Sequence, residues 1–330
     1  MERDHKLDFL RALAIIGVLV IHSIGRYAHS EVESIIGGWF GLVARPCIAV
    51  FLFVSGVLFE KGQNMSYLRH RMRRVLYPYL FFSVFALVYE VGFNRINDIY
   101  EILLRICTGG IFNIYYFVFV IVCMYIMVFI LDKLGILEKH ITALLLVSLM
   151  INLLHVSYFK QICDFLEVKD KLKDYYHIRS LLIWSLYYLL GIYYRAFKLE
   201  KTILENKILI RVVWVSTFVF YSFLHFVRIN NIGGYNSVIG TTYSLTTILF
   251  LLTFDIRSKG IYFLRTTSYS IYLSHIFFVY ALRDFAHISA IELPFGFGLI
   301  SFILSLIGSL LVYYMGKLIF KSKSFDIIGA

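Results

Sequence analysis

Charge is what this sequence has least of. Only 16% of its 330 residues are Asp, Glu, Lys or Arg, against about 25% in ordinary soluble domains. Proline is almost missing, with 3 residues, while aromatic residues reach 18%, which excludes collagenous, linker-rich and disordered chains. Cysteine is sparse too. Cys47, Cys107, Cys123 and Cys163 form no C-x-x-C pair and have no histidine at metal-ligand spacing, so neither a zinc site nor a disulfide scaffold is expected. They read as packing residues, and the sequence asks for no metal.

What fills the space is apolar: 60% of the residues, above the roughly 45 to 50% of water-soluble folds. This is the composition of a membrane protein. A net charge of +11 is also found in nucleic-acid binders, but here the basic residues sit in short blocks between apolar runs, as in loops facing the cytoplasm. Nucleic acid is therefore not an expected partner.

A hydrocarbon core of about 30 Å takes about 20 helical residues to cross. Ten apolar runs approach that length: Leu7 to Gly25, Ile35 to Phe59, Leu76 to Phe93, Ile111 to Leu131, Ile141 to Leu154, Ile178 to Tyr194, Leu209 to Phe226, Ser237 to Phe254, Thr267 to Leu282 and Phe295 to Leu318. The first has a basic start, like a signal peptide. It also holds Arg11, ends near His22 and lacks a small-residue cleavage site, so it reads as a mature helix. Lys and Arg in alternate loops favour the N-terminal side about two to one, which places both termini in the cytoplasm. The expected fold class is thus all-α, a polytopic membrane bundle of about ten transmembrane helices forming a single integral-membrane domain over residues 1–330.

Two connections stand out. NDIYEILLRIC puts Ile99, Ile102, Leu103 and Ile106 at helical spacing opposite charged residues, the pattern of a helix lying in the interface. His155 to His177, with KDKLKDYY inside it, is the longest polar connection, either a solvated turn or part of an acceptor site.

Ionisable groups in a bilayer are costly unless paired or hydrated, so each is a functional candidate. In LDFLRALAIIGVLVIHS, Arg11 and His22 are eleven residues apart, about three turns, so they share a face with a rise of roughly 16 Å between them. The competing reading is that Arg11 snorkels to the near interface and His22 marks the helix end. Arg45 precedes Ser55 and Gly56 in RPCIAVFLFVSGVLF. An arginine there wants a partner such as Glu90, and the pair would equally serve to lock helices together. Arg69, Arg71, Arg73 and Arg74 crowd SYLRHRMRRVLYPYL, as a topology anchor on anionic lipid or as an anion site. In SYSIYLSHIFF, Tyr272 and His275 are one turn apart, an arrangement that also suits plain packing.

At these residues the chain resembles the acyltransferase type 3 family, multi-spanning membrane enzymes that move acyl groups from acyl-coenzyme A to glycans and related acceptors. The resemblance rests on Leu7-Asp8 with Arg11 and His22, Arg45 to Ser55-Gly56, RHRMRRVLYPYL, TGGIFNIYYF and SYSIYLSH, in family order. Where members commonly have a His before the aromatic pair at the start of the fourth span and a Trp within it, this chain has Asn113 and Tyr115. It has Ala49 in place of a proline before Ser-Gly, with Pro46 earlier.

The resemblance implies acyl-coenzyme A, acetyl most often, as co-substrate, a glycan or lipid-linked sugar as acceptor, and residence in a cell membrane, the inner membrane of a bacterium. It implies that His22 acts as general base, or in a two-step route is itself acylated and passes the group on, that the run from Arg69 to Arg74 meets the phosphates with Arg11 near the entrance, and that Arg45, Ser55 or Tyr272 faces the oxyanion. A transporter or flippase would use the same buried polar residues, though neither related halves nor paired broken helices are evident. A non-catalytic partner in polysaccharide assembly is a third class.

If the basic run binds phosphates, replacing Arg71 and Arg74 with Gln weakens coenzyme A binding more in low salt than in high salt. Titrations at two ionic strengths check this, and equal binding at low ionic strength would refute it.

Overall fold

The computed structural model describes residues 4–24, 31–93, 95–96, 98–169, 175–227, 237–288 and 296–329. Among these residues there is no strand. The helices are α1 (His5–Ser23), α2 (Glu31–Ala44), α3 (Cys47–Val57), α4 (Met65–Gly92), α5 (Ile99–Thr108), α6 (Tyr116–Lys133), α7 (Ile136–Phe165), α8 (Leu181–Ala196), α9 (Glu200–Glu205), α10 (Lys207–Phe226), α11 (Val238–Leu252), α12 (Lys259–Ile288), α13 (Phe297–Phe320) and α14 (Ser324–Ile328).

Among the described residues, six helical stretches are long and apolar enough to cross a membrane, fewer than the ten expected: Glu31–Val57, Met65–Gly92, Asn113–Lys133, Ile136–Phe165, Lys207–Phe226 and Phe297–Phe320. The other four runs are helical but fall short, each for a physical reason. α8 and α11 have 16 and 15 residues, about 24 Å of rise or less. α1 carries Lys6, Asp8 and Arg11 within 19 residues. α12 is 30 residues long, but its middle is rich in Ser, Thr, Tyr and His. A helix enclosed by protein has no need to be apolar all round, and Ser270, Ile271, Leu273, His275, Ile276 and Val279 of α12 are fully buried.

Other expectations shift as well. The second run is broken at Arg45-Pro46, where α2 stops at Ala44 and α3 restarts at Cys47. The connection after His155 begins as helix, since α7 runs on to Phe165, while residues 170–174 of KDKLKDYY lie outside the described residues. The interfacial segment is helix α5, capped by Asp98, which accepts from the Tyr100 and Glu101 amides, and closed by Gly109 in the left-handed region. Ile99 and Leu103 are exposed there, as a face meant for lipid would be.

Contacts gather the chain into two compact units. The first holds residues Met1–Ala14, Arg45–Leu68 and Val120–Arg257, the second Ile15–Ala44, Arg69–Phe119 and Ser258–Ala330.

In the first unit α3 crosses tightly against α8. A Cβ on Gly56 would lie 2.0 Å from the Tyr188 carbonyl oxygen, and one on Gly191 would lie 2.1 Å from that of Phe53. Only hydrogen fits at either place. Past the crossing, Arg195 donates to the carbonyls of Val57 at 3.1 Å and Phe59 at 3.0 Å, occupying acceptors at the end of α3. Asn152 of α7, fully buried, donates to the Ile183 carbonyl at 2.8 Å and accepts from Thr241 at 3.0 Å, tying α7, α8 and α11 together. Near the end of α7, His155, Phe159 and His177 stack with centroids 4.6 to 4.9 Å apart.

In the second unit α12 lies against α13, whose buried residues are mostly small, among them Ser301, Ser305, Gly308 and Ser309. Small residues let two helices approach where apolar surroundings offer no hydrophobic drive for packing. A Cβ on Gly308 would sit 2.4 Å from the Phe278 ring.

Gly56→Ala should therefore force α3 and α8 apart and destabilise the protein by about 3 kcal/mol, the upper range for overpacking. Gly41→Ala, with nothing within 4 Å, serves as the control and should leave thermal unfolding in detergent unchanged or slightly raised. Equal melting of the two variants would disprove the close crossing.

Candidate functional site

The middle of α12 is bound to its neighbours by tyrosine hydroxyls. A buried hydroxyl needs an acceptor, and in an apolar interior the nearest ones are backbone carbonyls. Tyr269 donates to the Val75 carbonyl of α4 at 2.6 Å, and Tyr272 to the Ile114 carbonyl at 2.6 Å. Tyr115 returns the bond, donating to the Leu273 carbonyl. Three segments noted in the sequence, RHRMRRVLYPYL, TGGIFNIYYF and SYSIYLSH, are thereby cross-braced in one place. Aromatic packing fills the gaps. Phe112 lies 4.9 Å from Phe277 and 5.1 Å from Tyr280, and Tyr79 lies 5.7 Å from Tyr115. Gly109 permits the turn that starts this brace, with φ of +67° and a Cβ position only 2.2 Å from the Tyr115 carbonyl oxygen.

His275 sits inside this brace with no exposed surface. Its Nδ1 is 2.8 Å from the Tyr272 carbonyl oxygen and 3.0 Å from that of Ile271. The ring of His22, half-buried in the last turn of α1, lies 5.5 Å from the His275 ring at a tilt of 44°. His22 thus faces protein. The Tyr272 ring is 6.4 Å from His275, its hydroxyl proton already given to Ile114.

The remaining candidates fall elsewhere. Arg69, Arg73 and Arg74 at the start of α4 are exposed and Arg71 is half-buried; Arg73 Nε donates to the Tyr77 hydroxyl at 2.9 Å. Arg11, half-buried on α1, belongs to the first unit, as do Arg45 and Ser55. Arg45 lines a small cavity with Trp184, Tyr187, Tyr221 and Ser244. Ser55 is half-buried beside Gly56, the residue of the α3–α8 crossing. Also in the first unit, a cavity of about 480 Å³ opens among Phe59, Glu60, Lys61, Gln63 and Arg195. Its two cations were not singled out in the sequence.

Glu90 meets Arg95, at 3.3 Å, rather than the Arg45 considered from sequence. Arg95 also holds Asp284 at 2.8 Å, and Arg283 holds the other oxygen of Asp284 at 2.7 Å, with the Tyr89 hydroxyl donating as well. Arg95 and Asp284 lie just beyond apolar runs, where charges look like ordinary loop residues. The signal available was Arg283-Asp284 directly after the ninth run. Along α12 this network is about 13 Å past His275. Among the described residues no group of three or more His, Cys, Asp or Glu is placed to hold a metal ion.

Each Tyr→Phe change at Tyr115 or Tyr272 removes one buried inter-segment hydrogen bond and should cost about 0.5 to 1.5 kcal/mol. Thermal unfolding of the two single variants checks this, and unchanged melting in both would remove the cross-brace from consideration.

Neither curated proteins nor solved structures include a significant match to the chain. The family model described as an acyltransferase domain matches residues 4–314, nearly the whole length and all the segments discussed above. The chain therefore belongs to the acyltransferase 3 family.

Proposed function

We propose that this protein is a membrane O-acyltransferase that takes an acyl group, most simply acetyl, from cytoplasmic acyl-coenzyme A and places it on a hydroxyl of a cell-surface or exopolysaccharide sugar. The observation that carries the reading is His22: a half-buried imidazole, turned toward protein and against a second imidazole, in a chain of this family. Neutral imidazole has a pKa near 6.5 when unperturbed and serves as a proton acceptor at neutral pH.

In this reading the acceptor hydroxyl gives its proton to His22 as its oxygen attacks the thioester carbonyl. The tetrahedral intermediate then collapses, the C–S bond breaks and the proton passes to the leaving sulfur. The cations from Arg69 to Arg74 attract the phosphates of the donor, and the pantetheine arm is long enough for the roughly 16 Å rise between Arg11 and His22 along α1. The Tyr272 hydroxyl is engaged by Ile114, so it serves the oxyanion only by giving up that bond. The enzyme works in a cell membrane, the inner membrane in a bacterium, and needs no metal.

His22→Ala should lower thioester consumption by 100-fold or more while leaving thermal unfolding within a degree or two. Free thiol released from acetyl-coenzyme A by native membranes, which retain the acceptor, gives the rate. A transporter would consume no thioester in either form, and that result would overturn the proposal. Mass spectrometry of cell-surface glycans with and without the protein then identifies the acceptor.

A further inference from the structure

His275 is held in a way that fixes its protonation. Its Nδ1 lies within hydrogen-bonding distance of two carbonyl oxygens, those of Tyr272 and Ile271. A carbonyl only accepts, so Nδ1 carries the hydrogen, and in the neutral ring Nε2 is a lone pair. That Nε2 is fully buried and has no hydrogen-bond partner among the described residues. An unmatched buried acceptor is costly, so the arrangement makes sense where a donor reaches it during function.

The neighbours narrow the choice of donor. Tyr272 has given its proton to Ile114, Tyr269 to Val75 and Tyr115 to Leu273. Ser274 donates to the Ser270 carbonyl at 2.7 Å. The ring beside His275 that carries an N–H for this purpose is His22, at 5.5 Å between centroids. From that separation a modest side-chain rotation closes a nitrogen–nitrogen hydrogen bond.

We infer that His275 is a positioning residue for His22: its Nε2 accepts the N–H of His22, which selects the His22 tautomer and aims the other nitrogen at the acceptor hydroxyl. This rests on the reading of His22 as general base. The proton count is unchanged. The acceptor's proton moves to the other nitrogen of His22 and from there to the leaving sulfur, while the proton shared with His275 stays where it is. What His275 adds is orientation and a lone pair next to the imidazolium formed midway, the part that a second group plays for a ligating or catalytic histidine elsewhere.

Two substitutions separate this from packing. His275→Asn keeps an amide N–H near the Nδ1 position, preserving the bonds to Tyr272 and Ile271, but removes the acceptor at Nε2. His275→Gln puts an amide oxygen near that acceptor position. With acetyl-coenzyme A as the probe and native membranes containing the full-length protein, His275→Asn should lose about 100-fold in kcat, keep KM for acetyl-coenzyme A within about twofold and melt close to the wild type. His275→Gln should recover about tenfold of that loss. A wild-type kcat in His275→Asn, or equal impairment of Asn and Gln, overturns the inference while His22→Ala remains inactive. An active His22→Ala overturns the general-base reading and this inference with it.

Discussion

A phenol buried among apolar side chains has one proton to give and must give it to something. In the second unit that requirement does most of the positioning. Tyr269, Tyr272 and Tyr115 reach across to carbonyls of other segments, two of them in a reciprocal pair between residues 114–115 and 272–273. Because a helical carbonyl is already an acceptor within its own helix, its second lone pair is a fixed direction in space. Three such bonds set the rotation and depth of α12 against its neighbours. His275, two residues from one of those carbonyls, inherits that placement.

The same economy of polar groups appears in the first unit with different chemistry. There Asn152 joins three helices by using both ends of its amide, and Arg195 covers carbonyls at the end of α3. Neither group is free to wander, since each satisfies groups that a bilayer core would leave bare. Gly56 and Gly191 contribute by having no side chain, which brings backbones to a distance that larger residues forbid.

Much of this was legible in the sequence. Among the described residues, the apolar runs located every helix that is fit to cross a membrane, and the spacing of Ile99, Ile102, Leu103 and Ile106 marked α5 as a helix. Spacing alone put Tyr272 and His275 on one face. Less legible was the count of spans, because hydropathy reports surroundings only for helices that meet lipid. α12 is buried by protein and so was free to become polar. Nor does local sequence show which carbonyl a tyrosine reaches or which arginine meets Glu90. Arg95 is five residues from Glu90, but Asp284, the other half of that network, is far away in the chain. The role of Gly56 was half visible: Ser55-Gly56 stood out as a motif, and the structure assigns the glycine to a helix crossing.

The polarity of α12 carries a consequence for how the chain is made. A segment whose central stretch is Ser-Tyr-Ser-Ile-Tyr-Leu-Ser-His is a poor candidate for passing alone from the insertion channel into lipid, where each uncompensated polar group raises the cost. Its small-residue companion α13, apolar enough to enter by itself, comes next in the chain. Insertion of this region is therefore expected to be cooperative, with α12 entering the membrane together with its successor.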